Sequence, residues 1–272
     1  MSHSGEDALE ELLGEAESAL DRGDFEAALD LLDEAAHDED GHPEARALYG
    51  LTLYYKGAYD DAFEYLEEAL AEDPEDVEAR GALGVCHFFR LEVVTAEKEL
   101  RRALLSEPDW AEAHYWLGRV LEWRGRMPEA ELEFESANRL DPDDYPSPHR
   151  LADEDLDRVM KDAIATLPPR IRKAIDEVAI LVEEYPDEHL LKEADPPFPP
   201  DLLGLFTGTS LAERSTLSSG AAPNTIHVFK RNIELYGGNR EEVVAELRVT
   251  LLHEIGHYLG LDEEELEALG LE

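Results

Sequence analysis

Two histidines four residues apart, with a glutamate beside the first, are the residues of this chain best suited to chemistry: His253-Glu254-Ile255-Gly256-His257. On a helix, positions i and i+4 share a face, so both imidazoles can bind one metal ion while Glu254 projects near it. The same spacing also arises by chance in helices that bind nothing. Three neighbouring features weigh against chance here. The stretch Val249 to Leu252 before the motif is apolar, as it is on a buried metal-bearing helix. Gly260 follows at a spacing that suits a left-handed helix end and a sharp turn. Asp262 comes two residues later, where that turn can swing a carboxylate back to the metal. Imidazole and carboxylate suit a single Zn²⁺ ion with three protein ligands and a fourth position for water. The expected ligands are His253, His257 and Asp262, with Glu264 or Glu265 as alternatives to Asp262. Zinc lowers the pKa of bound water to about 7. Glu254, not itself a ligand, can then accept a proton and pass it to a leaving amine, which is amide hydrolysis.

The elements that must hold these residues lie between 151 and 272. Residues 151–167 have helical spacing, with Leu156, Val159, Met160, Ala163, Ile164 and Leu167 on one face. Pro168-Pro169 opens a second short helix over 170–176. The run 178–185 (VAILVEEY) reads as a strand, as do 203–207 and 225–230, with a rigid loop at 196–200. A long helix over 239–259 carries the two histidines. Arg214, His227 and Tyr258 are of the type that stabilises an oxyanion, although structural roles suit each of them as well.

The stretch from Leu167 onward resembles the small zincin-like metallopeptidase family of bacteria. The matching pieces are LPPRIRKAIDEVAILVEEYP, the DLLGLFTG string from Asp201, LAERS from Leu211, TIHVFKR from Thr225, and the HEIGHYLGLDEEEL end. The resemblance implies a compact α+β core in which a small twisted sheet packs on the metal-bearing helix. It also implies His253 and His257 as metal ligands, Glu254 as acid/base and Asp262 as third ligand. Larger zinc peptidases differ. Metzincins have a third histidine where Asp262 stands, and a methionine turn, whereas the last methionine here is Met160. Few residues follow Asp262, so a minimal cleft is expected.

The first half has a different logic, a repeat of 34 residues. Ala28, Ala62, Ala96 and Ala130 keep that step, as do Ala35, Ala69, Ala103 and Ala137. So do Leu32, Leu66, Leu100 and Phe134, then Gly50, Gly84 and Gly118, then Pro74, Pro108 and Pro142. Gly23, Gly57 and Gly125 hold one further column, with Leu91 in the remaining slot. The glycine slot belongs at a turn between two helices, the alanines at their close approach, and the prolines where one unit ends. The units are 9–42, 43–76, 77–110 and 111–144, after a tail at 1–8. The pattern resembles the tetratricopeptide repeat, with Gly57-Ala58-Tyr59-Asp60-Asp61-Ala62 as its clearest instance. It implies an all-α solenoid of four helix-turn-helix units whose concave face holds a peptide or protein partner. Three prolines between 141 and 150 end it, and a linker at 145–150 leads to the second domain, 151–272.

Charge narrows the partners. The 272 residues carry 66 acids against 24 bases, a net of −42. Residues 1–144 hold 40 acids and 12 bases, a net of −28. Such a surface repels phosphate backbones and anionic lipid, so nucleic acid and membrane are not expected partners. It also argues against a clamp for peptide carboxylates and in favour of a basic or apolar partner. Arginine outnumbers lysine 18 to 6, a balance a high-salt cytoplasm favours. The lone Cys86 forbids an internal disulfide and a thiolate zinc cage. The N-terminus lacks a secretory pattern and no apolar run spans a bilayer, so a soluble, cytoplasmic protein is expected. Two functions fit: a zinc peptidase whose repeats recognise substrate or partner, and a non-hydrolytic repeat adaptor whose metal site is structural.

Overall fold

A computed structural model describes residues 3–37, 42–213 and 223–267. The chain divides into two compact units, 1–145 and 146–272.

Among the described residues, the first unit has eight helices in four successive pairs: α1 (His3–Asp21), α2 (Phe25–His37), α3 (Pro43–Tyr55), α4 (Tyr59–Glu72), α5 (Val77–Phe89), α6 (Val93–Ser106), α7 (Ala111–Trp123) and α8 (Met127–Leu140). α1 begins at His3, inside the stretch read from sequence as a tail. Each helix packs on its partner and on the next pair. The turn column explains itself in backbone terms. Gly23, Gly57 and Gly125 have φ of 72°, 83° and 72°, and Leu91 takes φ 61° in the same slot. Each turn is closed by the same pair of bonds, as where Gly57 N–H donates to Tyr54 O and Ala58 N–H to Leu53 O. This left-handed stop satisfies carbonyls that the ending helix would otherwise leave orphaned.

The remaining columns form the seam. Ala28, Ala62, Ala96 and Ala130 are fully buried, as are Leu32, Leu66 and Leu100. The glycine column faces them. A Cβ on Gly84 would meet Leu100 Cγ at 2.9 Å, and one on Gly118 would meet Phe134 Cε1 at 2.8 Å. Glycine in the first helix therefore lets the large residue of the second sit against bare backbone, which offsets its poor helix propensity.

The second unit orders as α9 (Asp153–Thr166), α10 (Pro169–Ile175), β1 (Ala179–Glu183), α11 (Glu188–Glu193), β2 (Gly204–Thr207), β3 (Thr225–Phe229), α12 (Lys230–Glu234), α13 (Arg240–Leu259) and α14 (Glu263–Glu267). The strands form a sheet of order β1-β3-β2. β1 runs parallel to β3, with Ala179 opposite Thr225, and β2 antiparallel to β3, with Gly204 opposite Val228. Ile226 and Val228 of β3 join Val159 and Met160 of α9 and Val243, Leu247, Leu251 and Ile255 of α13 in one core. The sheet therefore packs one face on the helix that carries the histidine pair. Glu234 anchors the start of this unit. Its fully buried carboxylate accepts from Leu151 N at 2.8 Å and pairs with Arg150 and Arg231. The short helices α11, α12 and α14 were not expected from sequence. Each spans at most six residues, too little for a periodic pattern to register.

Candidate metal centre

α13 is a well-defined platform. Asn239 caps its start by accepting from the Glu241 and Glu242 amides. Gly260 ends it at φ 95°, with Leu261 N–H returning to Gly256 O at 3.1 Å. A Cβ on Gly260 would also meet Ala212 Cβ at 2.5 Å, so the turn needs glycine twice over.

The helical spacing brings His253 and His257 together, with their Nε2 atoms 2.9 Å apart. His257 Nδ1 faces Leu261 O at 3.4 Å, a backbone contact of the kind that orients a metal-binding imidazole. Glu263, first residue of α14, brings its carboxylate to 3.3 Å from His257 Nε2 and 3.7 Å from His253 Nε2. These three groups are the metal-competent cluster found among the described residues. Ligands held about 2.0–2.1 Å from a tetrahedral ion lie about 3.3 Å from one another. The two Nε2 atoms are 2.9 Å apart, the two distances to Glu263 run to its two separate oxygens, and the donor set of two imidazoles and one carboxylate suits zinc. The residues fit the ion.

Asp262, expected as the third ligand, is engaged elsewhere. Its Oδ1 accepts from Glu265 N at 2.9 Å, and its own N–H donates to Glu265 Oε2 at 3.1 Å. This reciprocal pair is a capping box at the start of α14. Glu264 is exposed.

Glu254 is buried, with 6% of its surface exposed. Burial pushes its carboxyl up to about 7, against the opposing pull of His253 and of a hydrogen bond from the Phe206 backbone amide. Strand β2 reaches the carboxylate because residue 204 is glycine. A Cβ there would meet Glu254 Cγ at 2.9 Å and Thr250 Cγ2 at 2.8 Å. The β2 contribution was not foreseen, and Gly204 inside a strand pattern was the only hint of a close backbone approach.

Of the oxyanion candidates, Arg214 lies outside the described residues. His227 bonds Glu183 Oε2 at 2.6 Å through Nδ1 and Thr207 Oγ1 at 3.3 Å through Nε2. Strand alternation puts it on the sheet face opposite Ile226 and Val228, away from α13. Tyr258 is fully buried and donates to Ala174 O at 3.0 Å. Both are held by structural partners.

Repeats of paired helices and a small α+β unit built on a histidine-bearing helix define a helical-repeat chain with a metallopeptidase-like second unit. The comparisons agree. Residues 175–271 match the family model of zincin-like metallopeptidases. Tetratricopeptide repeat models match residues 13–77, 53–114 and 95–145. No curated protein matches the chain significantly. Solved structures with similar architecture include MamA from AMB-1, at 24% identity over 48% of this chain and 72% of that one, with a TM-score of 0.42. MamA 41-end from Desulfovibrio magneticus RS-1 is 21% identical over 62% of this chain and 89% of its own, TM-score 0.42. YrrB, described as a TPR protein with an unusual peptide-binding site, is 20% identical over 48% and 68%, TM-score 0.42. No helix among the described residues is long and apolar enough to cross a membrane.

Proposed function

We propose that the C-terminal unit is a zinc-dependent peptidase and that the N-terminal repeats recognise its protein substrate or partner. The observation that carries this reading is the convergence of two Nε2 atoms, 2.9 Å apart, and a neighbouring carboxylate beside a buried glutamate. His253, His257 and a carboxylate from the segment after Gly260 would hold the ion. When bound, zinc polarises a carbonyl and lowers the pKa of water to about 7. Glu254 is the proton carrier: the Phe206 amide holds its carboxylate, which takes a proton from the attacking water and returns it to the leaving nitrogen. A purely structural site would have no use for Glu254, which favours hydrolysis over the adaptor reading.

The partner surface is the inner face of the repeats. The first helices touch along the stack, α1 on α3, α3 on α5 and α5 on α7. Tyr54 of α3 donates to Glu112 of α7 at 2.5 Å, and Tyr55 donates to Glu78 of α5 at 3.0 Å. A cavity of about 670 Å³ between α1 and α3 is lined by Leu9, Leu13 and Gly14 with Glu10, Glu17 and Glu44 at its edges. Apolar floor and acidic rim suit a basic peptide with apolar side chains.

Metal analysis of wild type and His253→Ala, followed by proteomic cleavage profiling of wild type against Glu254→Gln, tests the enzyme. The expected result is one zinc in wild type only and cleavage lost in Glu254→Gln. Cleavage that survives Glu254→Gln sinks the peptidase reading.

A further inference from the structure

The geometry points to a seat for one cationic side chain on the inner face of the repeats, built by Tyr55, Glu78 and Glu112 and filled by a lysine or arginine of the partner protein. The inference rests on the reading of the repeats as the recognition unit and names the chemistry they recognise. The two carboxylates come from different helices, Glu78 from α5 and Glu112 from α7. The last turn of α3 gathers them. Tyr54 donates to Glu112 Oε1 at 2.5 Å, and its neighbour Tyr55 donates to Glu78 Oε1 at 3.0 Å. The two phenol rings stand edge-on with centroids 5.0 Å apart.

The charge of this cluster is unbalanced. Buried acids elsewhere in the unit are neutralised: Glu99 pairs with Arg80 at 2.9 Å, and Glu97 with Arg126 at 2.7 Å and Arg101 at 2.8 Å. Among the described residues, no lysine or arginine pairs with Glu78 or Glu112, and the donors they meet are neutral. Burial pushes the Glu112 carboxyl up, and Glu78 adds to the push against hydrogen bonds from Tyr54 and Trp116. A shielded carboxylate without a counter-charge costs free energy, and a cation drawn between the two acids relieves that cost.

Tyr55 supplies the other half of the seat. Its ring is 40% exposed beside the two acids, and the face of a phenol attracts an ammonium or guanidinium group. The cluster also adjoins the apolar cavity between α1 and α3. Glu78 as a whole is exposed, but the helices around its carboxyl shield it and push it up, with Glu17 of that cavity adding to the effect. A cation on the seat therefore leaves an adjoining apolar side chain within reach of Leu9 and Leu13. The recognised sequence is a lysine or arginine flanked by apolar residues.

Calorimetric titration near physiological salt tests this on the full-length Glu254→Gln chain, so that hydrolysis cannot consume the probe. The probes are capped heptapeptides of leucine and glycine with lysine, arginine, glutamine or glutamate at the centre. The lysine peptide, the arginine peptide or both should bind at least about tenfold more tightly than the other two. Glu78→Gln/Glu112→Gln, in which amide oxygens can still accept from both tyrosines, should weaken that binding at least about 30-fold. Tyr55→Leu should weaken it about 3- to 30-fold, and Tyr55→Phe, which keeps the ring, should stay within about threefold. Glu64→Gln/Glu67→Gln removes the same charge from exposed positions on α4 and should stay within about twofold, because salt screens distant acids. Circular dichroism confirms that each variant is folded. Unchanged affinity in Glu78→Gln/Glu112→Gln, or an equal loss in the α4 control, overturns the seat while leaving the repeats as a recognition unit. Failure of all four peptides to bind overturns the seat and the recognition reading together.

Discussion

Leu266 of α14 fills the space that the missing side chain of Gly256 leaves on α13. The contact seats the short helix on the turn of α13 that bears His253 and His257. It makes residue 256 one of the few helix-interior positions where glycine is worth its cost in propensity.

Gly256→Ala should therefore destabilise, although alanine is the better helix former. Overpacking of this kind costs about 1–3 kcal/mol, more than the roughly 1 kcal/mol that propensity returns. Displaced α14 should also bind zinc more weakly. Thermal melts with and without zinc check both effects. A variant more stable than wild type with unchanged affinity would show that the socket is unimportant.

Glu254 makes the metal-free protein sensitive to pH. Its carboxyl is pushed up to about 7 in the folded chain, while the unfolded value is about 4.3. The folded state then binds more protons, so stability is fullest below the unfolded value and is lost as pH rises through the folded one. The difference corresponds to about 4 kcal/mol. In the presence of chelator, wild type should lose stability relative to Glu254→Gln between about pH 4.5 and 7. Parallel stability curves for the two proteins would contradict it.

The turns of the repeat predict opposite effects for two substitutions. Gly57 has φ 83°, so Gly57→Ala should cost about 1 kcal/mol. Leu91 pays that strain already at φ 61°, so Leu91→Gly should gain about 0.5–1 kcal/mol once glycine's entropy is counted. Denaturant midpoints read both.

The net charge of −42 sets a salt response. Self-repulsion between acidic helix faces is screened within about 8–10 Å near physiological salt and more tightly above it. The melting temperature should climb steadily with sodium chloride into the molar range. A flat response would remove high-salt adaptation as the reason for the acidity.

Much of this protein is determined by sequence alone, because its signals are local and periodic. A 34-residue period marks the four helix pairs, and the residue at each turn names its own backbone conformation, Leu91 included. Helical spacing alone unites His253 with His257, since four residues of helix bring i and i+4 to one face. What tertiary structure decided is what reaches those imidazoles from elsewhere. Gly204 admits β2 to the Glu254 carboxylate only because the sheet packs on α13, a long-range fact that no local pattern encodes. The turn after Gly260 offers four successive acids that look alike in sequence. Backbone geometry separates them: Asp262 and Glu265 close a cap, Leu266 docks on Gly256, and Glu263 is left facing the histidines. Spacing counts residues along a chain, whereas which acid faces the imidazoles depends on direction in space, and direction is set here by a five-residue helix too short to be read from its own sequence.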